Sequence, residues 1–285
     1  MREQIQQLIT KHRLEHVSSQ IEEASLPAIH ISKSGSDSPI LGASRIGGLP
    51  DVPLEFNWLQ WQGKPLGFLA QISCAELSAC DLEHTLPNSG MLYFFYDITE
   101  QPWGFDPKHQ GSSAVIYIPT TDALTQAVLP ADWEMDELCL NPFYLEFNRV
   151  PSLPAYGSTA FKQMGLADQE VDNYLELFDE VRERFTQTKP LHQLLGHANA
   201  IQGDMQMKCQ LVSHGLYCGD ESGYADPLAK ALEGGASEWR LLFQVDSDDD
   251  IGSMWGDVGM VYFWIRESSL QQRKFDETWT ILQCL

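Results

Sequence analysis

The run Phe68-Leu69-Ala70-Gln71-Ile72-Ser73 returns as Leu241-Leu242-Phe243-Gln244-Val245-Asp246, an apolar segment interrupted by one glutamine at the same place. Across a polar connection, each run is followed by a glycine and a second apolar segment. These are Gly90-Met91-Leu92-Tyr93-Phe94-Phe95-Tyr96 and Gly259-Met260-Val261-Tyr262-Phe263-Trp264-Ile265. A weaker correspondence precedes both, Ile46-Gly47-Gly48-Leu49-Pro50 against Leu195-Gly196-His197-Ala198-Asn199. Three matches in one order predict a duplicated unit. Short apolar runs rich in aromatic and β-branched residues read as buried strands, so the unit is β-rich.

The expected fold is α+β: mostly antiparallel β-sheets from two diverged repeats of one unit, packed into one body, with an N-terminal helix and a helix between the repeats. Repeat one is placed at about 28–150, a connecting helical segment at about 151–189 and repeat two at about 190–285, all in a single domain. Ile5, Leu8, Ile9, His12, Val17 and Ile21 fall near one helical stripe, which predicts a helix ending near Ser25-Leu26-Pro27. Asp168 to Thr186 carries Val171, Tyr174, Leu175, Phe178, Val181 and Phe185 on a stripe opposite acidic residues, predicting the second helix. Ala28–Ser32, Ser113–Ile118 and Phe143–Phe147 read as strands, Gly35–Pro39 as a turn, and Pro151 and Pro154 as the join between repeats. Met205, Met207, Cys209 and Leu211 alternate with Gln206, Lys208 and Gln210, which predicts an added strand in the second repeat.

Charge narrows the partners. The net charge is −22, and residues 1–150 (19 acidic, 8 basic) and 151–285 (21 acidic, 10 basic) each carry −11, so no tail accounts for it. Nucleic acid and anionic membrane need clustered Lys and Arg and are disfavoured; cations and basic proteins are the natural counterparts. The first residues do not resemble an export signal, and the longest apolar runs, Met91–Tyr96 and Met260–Ile265, are far shorter than the ~20 residues that span a bilayer. Six cysteines without a CxxC pair read as reduced thiols of a cytoplasmic protein.

Two constellations stand out. In Asp246-Ser247-Asp248-Asp249-Asp250-Ile251-Gly252-Ser253-Met254-Trp255-Gly256-Asp257, carboxylates at alternating positions suit hard-cation coordination, so Asp246, Asp248, Asp250 and Asp257 are candidate ligands for Ca or Mg. The loop departs from a calcium hand, with Ile251 where Gly is wanted and Asp257 where a bidentate Glu is wanted. No Lys or Arg lies between Arg240 and Arg266, so the crowded carboxylates need a compensating cation, water or backbone N–H groups. Gln71 and Gln244, amides in the middle of apolar strands, must find hydrogen bonds if buried; they are expected to clamp the repeats together across a pseudo-two-fold axis or to orient a ligand. No GxSxG, HExxH, phosphate-loop or GxGxxG pattern is present, which weakens but does not remove an enzymatic reading.

Arg45-Ile46-Gly47-Gly48-Leu49-Pro50-Asp51-Val52-Pro53, then Gly63-Lys64-Pro65-Leu66 and Phe68–Ile72, resembles the opening of the YwqG-like family. Gln202-Gly203-Asp204-Met205-Gln206, Trp239-Arg240-Leu241-Leu242, the aspartate run, Met254-Trp255-Gly256-Asp257 and Tyr262-Phe263-Trp264 resemble its closing block. The family pattern has Pro-Asp after the glycine that Gly196 matches, where this chain reads His197-Ala198-Asn199. The resemblance implies a bacterial cytoplasmic protein of unknown function, adds Gln202, Asp204 and Trp255 to the candidate ligand-binding residues, and suggests by analogy an antagonist of a basic protein or toxin. The expected function is a non-catalytic binding protein with an acidic surface. The alternative is a divalent-metal-dependent hydrolase whose aspartate loop holds an ion that activates water.

Overall fold

The computed structural model describes residues 2–35, 40–129, 131, 133–134, 138–186 and 190–285. Fourteen strands are present among them: β1 (Leu26–Ser34), β2 (Arg45–Ile46), β3 (Asp51–Pro53), β4 (Gln60–Trp61), β5 (Lys64–Pro65), β6 (Gly67–Ser73), β7 (Met91–Tyr96), β8 (Ser113–Ile118), β9 (Leu124–Gln126), β10 (Phe143–Ser152), β11 (Gln193–Leu194), β12 (Trp239–Asp246), β13 (Met260–Arg266) and β14 (Trp279–Gln283). Ten of them form one sheet in the order β14-β13-β12-β11-β1-β10-β2-β6-β7-β8, every neighbouring pair antiparallel. The remaining strands make two small two-stranded sheets, β3 with β9 and β4 with β5.

β7 and β13 are buried along nearly their whole length because both sheet faces are covered there, which is why they read as continuous apolar runs. Alternation then sorts their side chains. Leu92, Phe94 and Tyr96 of β7 and Val261, Phe263 and Ile265 of β13 share one core, whereas Met91, Tyr93 and Phe95 face a second and Met260, Tyr262 and Trp264 a third. The shared core exists because the sheet curls until its two ends meet: the Phe94 ring lies 4.5 Å from that of Phe243 and 5.4 Å from that of Phe263. The sheet is thus nearly closed, which hides most of its backbone from edge pairing.

The two hairpins keep the same register. Gln71 pairs with Tyr93 and Gln244 with Tyr262; each leading strand has an irregularity at the same distance before its glutamine, between Phe68 and Ala70 and between Leu241 and Phe243. The strand beside each is equally short, with Arg45 opposite Gln71 and Gln193 opposite Gln244. This register places Gly48, not Gly47, opposite Gly196 in the comparison, so the weakest sequence correspondence was one residue out of step. Gly47 and Gly48 both have φ of 70°, and their counterparts Leu195 and Gly196 have 57° and 70°. Leucine in this left-handed region disguised the match.

The predicted N-terminal helix is two helices, α1 (Arg2–Lys11) and α2 (Ser18–Ala24), separated at Arg13, whose φ of 58° is incompatible with a continuing helix. The break lets Leu14 and Val17 join Ile5, Leu8, Ile9 and Ile21 in a core completed by α3 (Thr159–Met164) and α4 (Asp168–Thr186), the last as predicted. Residues 36–39 of the predicted turn lie outside the described residues. Pro151 does not end the first half: β10 runs to Ser152 and pairs with β1 along nine residues, joining the halves at mid-sheet. The expected strand at Met205–Leu211 is instead α5 (Gln206–Val212). Gln, Met, Lys and Leu are good helix formers, and the alternation was accidental. No helix among the described residues is long and apolar enough to cross a membrane.

Candidate functional site

Asp246 ends β12, and the aspartate run that follows folds into a tight turn. Asp248 N–H donates to Ser253 O and Ser253 N–H to Asp248 O, at 2.9 and 3.0 Å, while Gly252, at φ 75°, reverses the chain. The turn is fastened to the other half of the sheet by Asn141, whose backbone N–H donates to Ile251 O and whose side chain donates to Asp250 O.

The carboxylates separate. Asp246 is buried and its Oδ2 accepts from Leu191 N–H at 2.9 Å. Asp248, also buried, receives Lys33 Nζ on both oxygens at 2.7 and 2.6 Å, and its Oδ2 lies 3.2 Å from His192 Nε2. Asp250 turns its Oδ2 to the same ammonium at 2.6 Å. Asp257 is exposed, and its carbonyl accepts from Leu285 N–H. Asp246 N–H donates to His192 Nδ1, which leaves Nε2 as the protonated nitrogen facing Asp248. Burial works to raise the Asp248 carboxyl, but hydrogen bonds from His192 and Lys33 outweigh it and hold the group down at about 2. Lys33, 215 residues away in sequence, is therefore the compensating cation that the segment between Arg240 and Arg266 lacks. Among the described residues no group of three or more His, Cys, Asp or Glu side chains is arranged to hold a metal ion. The four expected ligands are thus not brought together: two meet at Lys33, one caps a backbone amide and one faces solvent.

Gln71 and Gln244 are each 0 % exposed and each serve their own half, not one another. Gln71 Oε1 accepts from Asp51 N–H at 2.7 Å and Nε2 donates to Ala43 O; Gln244 Oε1 accepts from Asn199 N–H at 3.0 Å and Nε2 donates to Leu191 O. Tyr93 OH reaches Asp51 O and Tyr262 OH reaches Asn199 O in the same pattern. Arg45 pairs with Asp51 at 3.1 Å, whereas at the matching positions Asn199 Nδ2 donates to Gln193 Oε1 at 3.3 Å. A buried ion pair in one half thus stands where the other has a neutral amide pair. With neither Arg at 193 nor Asp at 199, no buried charge is left unpaired there.

Trp255 is buried and spends its indole N–H on Asp246 O at 3.2 Å. Gln202 is exposed, with its backbone N–H on Gln283 Oε1. Asp204 caps two segments, accepting from Thr159 N–H and Oγ on one oxygen and from Gln206 N–H on the other. It is also the one expected site residue that lines a cleft of about 430 Å³ between α2, α3 and the start of β12. Trp239, Leu241 and Trp264 line its apolar part. The cleft also holds His197, whose Nε2 lies 2.7 Å from Ala24 O and whose pKa burial lowers. Sequence reasoning missed Lys33, His192 and Trp264: Lys33 and His192 meet Asp248 only in the folded chain, and Trp264 comes to line the cleft only there, so none leaves a local pattern.

No curated protein matches this chain. Residues 44–284, from the first residues of β2 to the end of β14, match the family described as Domain of unknown function (DUF1963). With that match spanning most of its length, the chain belongs to the DUF1963 family.

Proposed function

We propose that this protein acts by binding rather than by catalysis, and that its partner is a basic protein, with a toxin as one such partner. The observation that carries the reading is where its positive charge is spent. Among the described residues, eight Lys and Arg are ion-paired with the chain's own carboxylates: Lys11 with Glu180, Lys33 with Asp248 and Asp250, Arg45 with Asp51, Lys64 with Glu100, Arg149 with Glu83, Arg182 with Asp179, Arg240 with Glu267 and Lys274 with Glu277. With 40 acidic residues in all, the remaining surface is strongly negative and attracts a cationic partner over about a Debye length. Pull-down from native lysate at low and moderate salt tests this. A stoichiometric partner of high pI that is released as salt rises supports it; no stoichiometric partner, or an acidic one, refutes it.

The same reading takes the halves as descendants of one duplicated unit. Its support is the shared register of the two hairpins and the matching glutamine and tyrosine hydrogen bonds. A YwqG-like protein of the cytoplasm also fits six unpaired cysteines, of which burial pushes Cys74 up to about 12 and Cys139 up to about 11, leaving both protonated and unreactive.

A further inference from the structure

The two halves differ at one place in the sheet. In the first half β2 covers only two residues of β6, and the chain approaching β10 turns aside to continue the cover: Cys139 forms a parallel bridge with Phe68, and Leu140 O accepts from Gly48 N–H at 2.8 Å. In the second half the pairing of β1 with β11 puts Ile29 where Phe143 stands, so Ser25-Leu26 is the counterpart of Cys139-Leu140. That segment does not turn aside. Leu26 and Pro27 stay paired with Ser152 and Pro151 of β10.

Three consequences follow from this divergence. Among the described residues, Leu241, the counterpart of Phe68, has a strand partner only on the β13 side. The Gly196 N–H, the counterpart of Gly48, donates to nothing among them. Clefts of about 430 and 220 Å³ open here, and both are lined by Leu26, Gly196, Arg240 and Leu241. In the larger, Trp264 is 6 % exposed and its indole N–H has no acceptor among the described residues.

We propose that this gap receives an extended segment of a partner chain bearing Lys or Arg, laid beside β12 as Cys139 lies beside β6. The proposal rests on the binding reading above and names where the partner docks. Unpaired strand backbone and free N–H groups are what β-augmentation uses. The charge of the partner follows from the lining: Arg149 and Arg240 are neutralised by Glu83 and Glu267, which leaves Glu23, Asp81 and Asp204 as the excess charge on the two clefts.

The test uses the full chain and probe peptides of about eight residues, a typical strand length, alternating Val and Lys, with Val–Glu peptides as controls. Amide exchange is followed residue by residue. Val–Lys peptides are expected to slow exchange at residues 195–197 and 239–241, and Val–Glu peptides are not. Glu23→Lys, a change at an exposed side chain, should weaken Val–Lys binding roughly threefold to tenfold without lowering Tm. No Val–Lys binding, or binding that protects other residues, overturns the proposal; so does protection of the same residues that grows with protein concentration alone, which would make the occupant a second copy. If a basic protein is captured from lysate but protects other residues, the slot falls and the binding reading stands. If no basic partner is captured at all, both fall.

Discussion

Lys33 Nζ sits between Asp248 and Asp250, 2.6 Å from an oxygen of each, and so ties β1 to the turn that follows β12. Asp248 is buried in this arrangement, so removing the ammonium leaves a charge without its nearest partner. Lys33→Ala should destabilise the fold by about 3 kcal/mol, and Asp248→Asn in the same chain should recover part of the loss, because the unpaired charge is then gone. Urea denaturation of the two single variants and the double variant measures the coupling; strictly additive effects would show that the pair contributes nothing.

The same contact sets an acid limit. The Asp248 carboxyl lies at about 2 in the folded protein against an ordinary 3.8, so its contribution is fully present above about pH 4 and is lost as pH falls toward 2. The stability difference between the wild type and Asp248→Asn should shrink across that window. A difference that stays constant from pH 5 to 2 would contradict the assignment.

Three histidines act at higher pH. Burial lowers the pKa of His30, helped by its neighbour His192, and burial lowers those of His109 and His197. A depressed histidine favours the folded state while neutral, so this contribution is complete above about 6.5 and declines as the pH drops below it. Tm should fall between about pH 6.5 and 5, and His30→Gln should flatten that slope.

Gln71→Leu and Gln244→Leu should each cost about 2 kcal/mol, since each strands a backbone N–H and a carbonyl that are at least partly buried. Similar losses at the two sites are expected from equivalent roles. A neutral effect at either would show that water or a shifted backbone replaces the amide there.

Val258 has φ of 50°, a conformation that a β-branched residue adopts only under strain, and its side chain is exposed. Val258→Gly should therefore stabilise the protein by about 0.5–1 kcal/mol, the relief of strain outweighing the added freedom of the unfolded chain. Thermal unfolding is the measurement, and a lower Tm would show that the valine makes a compensating contact.

A chelator should leave Tm unchanged, because the charge of Asp248 and Asp250 is answered by Lys33 and no third carboxylate among the described residues converges with them. A Tm that drops in EDTA and recovers with Ca or Mg would restore the metal reading, since a ligand of the native state stabilises it by mass action.

Hairpins were legible in the sequence because a buried strand pair is a local object: its apolar run, its glycine and its next strand are near one another in the chain, as Gln71 and Tyr93 show. The long helix α4 was legible for the same reason, from its stripe alone. Short elements were not. α5 carries one accidental alternation over seven residues, and in so short a segment the period cannot outvote the propensities.

The candidate site was read only in part. Composition and pattern determined that the chain holds two similar β-rich stretches, that a glutamine interrupts each, and that the crowded aspartate run needs compensation by a cation, water or backbone N–H groups. Tertiary structure alone decided that the charge is Lys33, that each glutamine closes its own half, and that the halves differ where Ser25-Leu26 keeps to β10 while Cys139-Leu140 turns to β6. The physical reason is range: hydrophobic periodicity and turn chemistry act between near neighbours in the chain, whereas ion pairs and sheet edges are completed by residues that only the folded chain brings within hydrogen-bond distance.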